Sequence, residues 1–199
     1  MTLAGAIALV ALAVVLASLL FLHLAPTGLS PIRNAVSQYG ITPYRAGYRV
    51  ATLAFAIAAV ALAVGIRHES GSRANAVVVL LAIFAGARAA ISWFPMDAPG
   101  TPRTTTGHIH GLLAIAAFAG AAAAAFKLAN VLSQRGHWHS LAPVSTALGA
   151  LMALCLIGMA LARSYPAVRA NFGVIERGFY LSAISWFAVF AVACVANGR

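Results

Sequence analysis

Between Ser92 and Gly111 the chain reads SWFPMDAPGTPRTTTGHIHG. This stretch holds the only aspartate, Asp97, and two of the six histidines, His108 and His110. A carboxylate and an imidazole are the ordinary partners of acid–base chemistry, and Ser92 or a threonine beside them would supply a nucleophile. His108 and His110 stand about 200° apart on a helix, so only one can face inward, and His110, aligned with Gly107, is the better placed. Further groups with chemistry to offer are His23, Asn34, Ser37, Arg49, Arg88, Glu176, Arg177 and Tyr180.

Arg88 is the sharpest of these signals, because it interrupts the apolar run AVVVLLAIFAGARAAISW. A guanidinium at membrane depth costs at least ~2.5 kcal/mol, so it is expected to face other helices and pair with Glu176 or Asp97, or to snorkel toward water. Arg49, Arg88 and Arg177 outnumber the two acids near them. An excess of fixed positive charge in a partly dry site suits a phosphate or carboxylate ligand. Asp97, His110 and Glu176 are therefore the candidate catalytic groups. Arg88, Arg177, Arg49, Asn34, Ser37, Ser92, Thr104 and Tyr180 are the candidate substrate-binding groups. A metal would need His23, Asp97 and His110 from separate regions, and no spacing matches a metal motif, so neither metal nor cofactor is expected. The plainer alternative makes FPMDAPGTPRTT a rigid turn, with Pro95 stopping one helix and Thr104 or Thr105 capping the next.

The elements that must position these groups follow from composition. The chain of 199 residues is 62% hydrophobic and 8% charged. A soluble domain would lack the polar side chains to cover itself, and a bilayer removes that need. Six apolar stretches qualify as spans, near 3–25, 44–66, 74–94, 105–128, 140–163 and 173–197. The first is too long for a signal-peptide apolar region and lacks a basic leader, so it counts as a span. The expectation is an all-α polytopic membrane protein, a single domain over 1–199. It is a bundle of six transmembrane helices with a short interfacial helix between the first two. Ser30, Pro31 and Gly40 would bound that short helix, with Ile32, Ala35, Val36 and Tyr39 as its apolar face. Ala116, Gly120 and Ala124 have the small-xxx-small spacing of close helix packing.

The net charge of +10 comes from basic residues scattered singly around apolar spans. That pattern points to membrane lipids as partners and away from nucleic acid. The chain is small enough to act alone or as a homo-oligomer. Call the face carrying the N-terminus side A and the other side B. Side A holds Arg67, Arg73, Lys127, Arg135 and Arg199, and side B holds Arg33, Arg45, Arg103, Arg163 and Arg169. The near balance decides orientation only weakly; if the side-B arginines serve a site, side A is cytoplasmic. The localisation expected is a multi-pass protein of the bacterial cell membrane with a cytoplasmic N-terminus.

Loops one, three and five share side B, so their polar residues are expected to meet beneath one leaflet. The pocket so formed would recognise an anionic lipid headgroup or lipid-linked substrate. The alternatives are an intramembrane hydrolase or transferase using Asp97 and His110, or a transporter or scaffold subunit. The apolar middles of the spans argue against a transport path.

The segments SPIRNAVSQYG, FPMDAPGTPRTTTGHIHG and FGVIERGFYLSAISW resemble a six-helix prokaryotic membrane family catalogued as domain of unknown function 998. More loosely they are similar to the eukaryotic FRAG/DRAM/SFK membrane proteins. The specific part is F-P-x-D followed by T-x-x-G-x-x-H, here Phe94, Pro95, Asp97, Thr104, Gly107 and His110. Asn34, Ser37, Gly40 and Arg177 also match. The resemblance implies the six-helix fold and marks these positions. It supplies no reaction, and the looser similarity implies only a lipid-associated role.

Overall fold

A computed structural model describes residues 2–134 and 138–196, so Arg135 and Arg199 lie outside the described residues. Apolar, alanine-rich segments in lipid must satisfy every backbone polar group internally, and helices do so. The described chain is helical and without strands. Its elements are α1 (Thr2–Leu24), α2 (Arg45–Ser70), α3 (Asn75–Ile91), α4 (Thr105–Gln134), α5 (Ala142–Leu161), a single turn α6 (Pro166–Arg169) and α7 (Phe172–Ala196). Short 3-10 segments lie at Val36–Ile41, Gly71–Ala74 and His139–Leu141.

Five helical stretches are long and apolar enough to cross a membrane, and one of them, Arg45–Ile91, runs for 47 residues. That stretch is two helices. Phe55 and Phe84 meet edge to face with ring centroids 4.9 Å apart, whereas 29 residues of straight helix would separate them by ~43 Å. The reversal falls at Gly71, whose φ of 59° is open to glycine at little cost. The residues of the second and third expected spans thus fall in α2 and α3, folded as a hairpin. At 17 residues α3 is ~26 Å long, slightly short of a ~30 Å hydrocarbon core.

The six long helices close into a ring. Each packs on the next in chain order, α5 packs on α7, α7 on α1, and α2 also meets α7 across the middle. The centre is aromatic, with Phe187 5.1 Å from Phe55 and 5.3 Å from Phe84. Gly120 does the work its spacing suggests. A Cβ there would stand 3.3 Å from the Leu80 carbonyl oxygen, so α3 and α4 approach backbone to backbone. On α5 the buried Ser145 hydroxyl donates to the Ala125 carbonyl (2.8 Å) and accepts from Trp186 Nε1 (2.8 Å). That one hydroxyl ties α4, α5 and α7 together. Outward apolar side chains such as Leu151, Leu154 and Ile157 are left for lipid.

The first side-B loop departs from expectation. Its short helix begins at Val36, not Pro31, with Ala35 rather than Ser30 at its cap. Asn34 Oδ1 instead folds back to accept from the Ser30 amide (2.7 Å). Val36, Gln38 and Tyr39 are buried, while Ile32 is 55% exposed. The segment therefore plugs the mouth of the bundle and does not lie along the interface. The reason is tertiary: the Glu176 carboxylate accepts from the Val36 amide (2.6 Å) and holds the segment's start against α7.

Candidate functional site

The side-B residues separate into a tether, a capped turn, a buried cluster and an open cleft. The tether is Arg177, in the second turn of α7. Its Nε donates to His23 Nε2 (2.7 Å), one Nη to the carbonyls of Asn34 (2.8 Å) and Gly173 (3.0 Å), and the other to the Tyr39 hydroxyl (3.3 Å). His23 Nδ1 lies 2.6 Å from the Leu19 carbonyl, which can only accept. His23 is thus the Nδ1–H tautomer, and its Nε2 lone pair receives Arg177. One guanidinium joins the end of α1, the first loop and α7. Gly173 makes room, because a Cβ there would collide with the Pro31 carbonyl oxygen and stand 2.7 Å from that of Asn34.

The capped turn lies between the end of α3 and the first turns of α4. Asp97 Oδ1 accepts from the Thr104 hydroxyl (2.6 Å) and Oδ2 from the Thr104 amide (3.1 Å), while Thr104 Oγ1 accepts from the Gly107 amide (3.0 Å). This is an N-cap whose own residue is held by a carboxylate from the preceding loop. The Thr104 hydroxyl, then its amide, hold the Asp97 carboxyl below the usual carboxylate range. Gly107 is required because a Cβ there would run into the Asp97 carboxylate. His110 is buried, and its Nδ1 pairs with the Phe94 carbonyl (2.7 Å), just past the end of α3. Both members of the expected acid–base pair are thus engaged with other groups, and Asp97 and His110 share no hydrogen bond.

The buried cluster surrounds Arg88, which is 2% exposed. The expected partnership with an acid is not formed. Among the described residues no carboxylate lies within 4.0 Å of any arginine, and Asp97 stands in its own turn. The guanidinium instead lies over the rings of Tyr180 (5.4 Å) and Phe55 (5.9 Å), an arrangement that attracts a cation to the ring quadrupole. Tyr48 and Tyr180 are its polar neighbours in the cluster. Arg88 Nε and the Tyr48 hydroxyl find no hydrogen-bond partner. Snorkelling does not occur either, since the side chain is enclosed.

The cleft lies beside the plug. A cavity of about 370 Å³ is lined by Gly40, Thr42, Arg45, Arg49, Ser92 and Trp93, among others. Arg49 stacks over the exposed Trp93 ring (4.8 Å). The Ser92 hydroxyl is unpartnered. Gly40 has no Cβ to meet the Tyr48 ring, which passes 3.0 Å from where one would be. Sequence reasoning chose Arg49 and Ser92 but not Arg45. One helical turn before Arg49 on the same face, Arg45 carried a signal that spacing could have given. Ser37 lies apart from the cleft lining, its hydroxyl donating to Met96 Sδ (3.2 Å) and joining loops one and three.

The pattern of DUF998, described as a protein of unknown function, matches residues 8–193. The chain belongs to the DUF998 family. No curated protein and no solved structure matches it. Seen as a family member, the chain uses its F-P-x-D and T-x-x-G-x-x-H residues to build one cap and one helix tie. Among the described residues no three His, Cys, Asp or Glu are placed to hold a metal ion.

Proposed function

We propose that this protein binds an anionic lipid headgroup, or a substrate carried on a lipid, in the side-B cleft. The observation carrying the proposal is the cleft's lining. Arg45 and Arg49 share one cavity with the hydroxyl residues Thr42 and Ser92, and no carboxylate lines it. Guanidinium groups recognise phosphate through charge-assisted bonds, and a tryptophan at the cleft's edge suits the headgroup level of a bilayer. Ile41 and Trp93, 39% and 52% exposed, give the mouth an apolar border that acyl chains would cover. The polar centre thus faces a headgroup while its rim faces hydrocarbon. The bacterial cell membrane, with side A cytoplasmic, belongs to the same proposal.

The test uses the full chain in nanodiscs containing phosphatidylglycerol or phosphatidylcholine, with retained lipid read by native mass spectrometry. Replacing two phosphate-binding guanidiniums, as in R45Q/R49Q, is expected to weaken phosphatidylglycerol retention tenfold or more, about 1.4 kcal/mol or above. Unchanged retention with an intact fold would remove the proposal.

A further inference from the structure

A second cationic cavity lies on the opposite face. Between α3 and α4 near side A lies a cavity of about 300 Å³ lined by Arg73, Lys127, Asn130 and Gln134, with Ala76 and Val77 among the apolar residues. Arg73 comes from the turn before α3, and Lys127 from α4, seven residues before its end. At 1.5 Å per residue Lys127 leaves the helix ~10 Å below that end, inside an alanine-rich run. A lysine at that depth extends its stem along apolar surface and brings its ammonium to the headgroup level. The fold thus delivers two cations from different helices into one groove.

The polar lining is rich in donors. Gln134 Nε2 donates to Asn130 Oδ1 (3.1 Å), which occupies the Asn130 carbonyl and leaves its amide NH₂. Guanidinium, ammonium and amide groups then line one cavity, and none of its lining residues is acidic. The side-A acid, Glu69, is not among the lining residues. Two like charges gathered without a carboxylate are stabilised by an anion that both can touch. The cavity is far too small for a macromolecule, and Ala76, Val77 and Val131 give it apolar lining beside the polar groups. We infer that the α3–α4 groove at side A binds a phosphate group, carried by a lipid of that leaflet or by a small soluble phosphate compound. This site shares no residue with the side-B cleft and stands or falls separately from it.

The experiment compares the full-length protein with R73Q/K127Q, and with K127R as the charge-keeping control. Both side chains are exposed, so the substitutions leave the core untouched. Native mass spectrometry from phosphatidylglycerol nanodiscs is paired with melting in detergent against inorganic phosphate at constant ionic strength. If the phosphate is a lipid's, R73Q/K127Q loses one bound phosphatidylglycerol molecule by tenfold or more in occupancy, K127R keeps it, and R45Q/R49Q leaves this molecule bound, so that only the combined variant loses the lipids of both sites. If it belongs to a soluble compound, inorganic phosphate raises the melting temperature of wild type and not of R73Q/K127Q, with lipid retention equal. Equal retention together with equal melting responses overturns the inference, whatever the fate of the side-B cleft.

Discussion

Removing the Arg177 guanidinium is the perturbation with the largest expected effect on the architecture of side B. Arg177→Met keeps most of the side-chain volume and deletes every donor. Three bonds between elements go, those to His23 Nε2, the Asn34 carbonyl and the Tyr39 hydroxyl, the last long at 3.3 Å and weak accordingly. Bonds to charged groups contribute ~1.5–3 kcal/mol each, but members of one network do not add fully. The buried Glu176 also loses its neighbouring positive charge while still bound to the Val36 amide. A loss of about 3–5 kcal/mol follows, concentrated in the first loop and the end of α1. Reversible unfolding in detergent, followed by circular dichroism, measures the total. Limited proteolysis between residues 25 and 44 reports where it falls, with the variant cut faster there. Arg177→Lys can rebuild one or two of the bonds and should recover part of the loss. A variant within ~0.5 kcal/mol of wild type, with no new cleavage in the loop, would refute the tether.

The capped turn makes two predictions of its own. Gly107→Ala places a methyl group against the Asp97 carboxylate and should destabilise by about 1–3 kcal/mol despite alanine's better helix propensity. Adding Asp97→Ala should relieve that clash in a double-mutant cycle, and strict additivity would count against the contact. The Asp97 carboxyl is held below its ordinary range in the folded state. Its stabilisation is therefore present above the unfolded value and disappears as pH falls through the folded one. Melting of wild type and Asp97→Asn followed from pH 6 downward should show the gap between them closing below the usual carboxylate range, and a constant gap would contradict the cap. Deep in the bundle, Ser145→Ala strands the buried Trp186 N–H, while the Ala125 carbonyl keeps its bond within α4; the cost is about 1–3 kcal/mol, measurable by the same unfolding assay.

Composition and hydrophobic run length were enough to read an all-helical membrane protein, because lipid leaves a spanning chain so few ways to satisfy its backbone. The turn around Asp97 was also legible. Its partners lie within ten residues, and cap chemistry is local, so Pro95 and Thr104 announced it, though not that Asp97 would hold the cap. The close approach at Gly120 could be anticipated for the same reason: helix periodicity is written in the spacing of small residues. Other features depended on partners far away in the chain. The first-loop helix looked like a surface element by its own pattern, yet Glu176, 140 residues on, binds its first amide and draws it into the bundle. Arg88 demanded a partner, and the sequence offered two acids. Packing instead gave it aromatic faces and hydroxyls from α2 and α7, since the acids were already engaged by Val36 and Thr104. The arginine excess was plain in the sequence, but which arginines share a cavity was not. Arg177 became a tether and Arg49 joined Arg45 in a cleft only when ring closure set the helix rotations. Residue type fixes what a side chain can do, and the register of the helices around the ring decides which neighbours it meets.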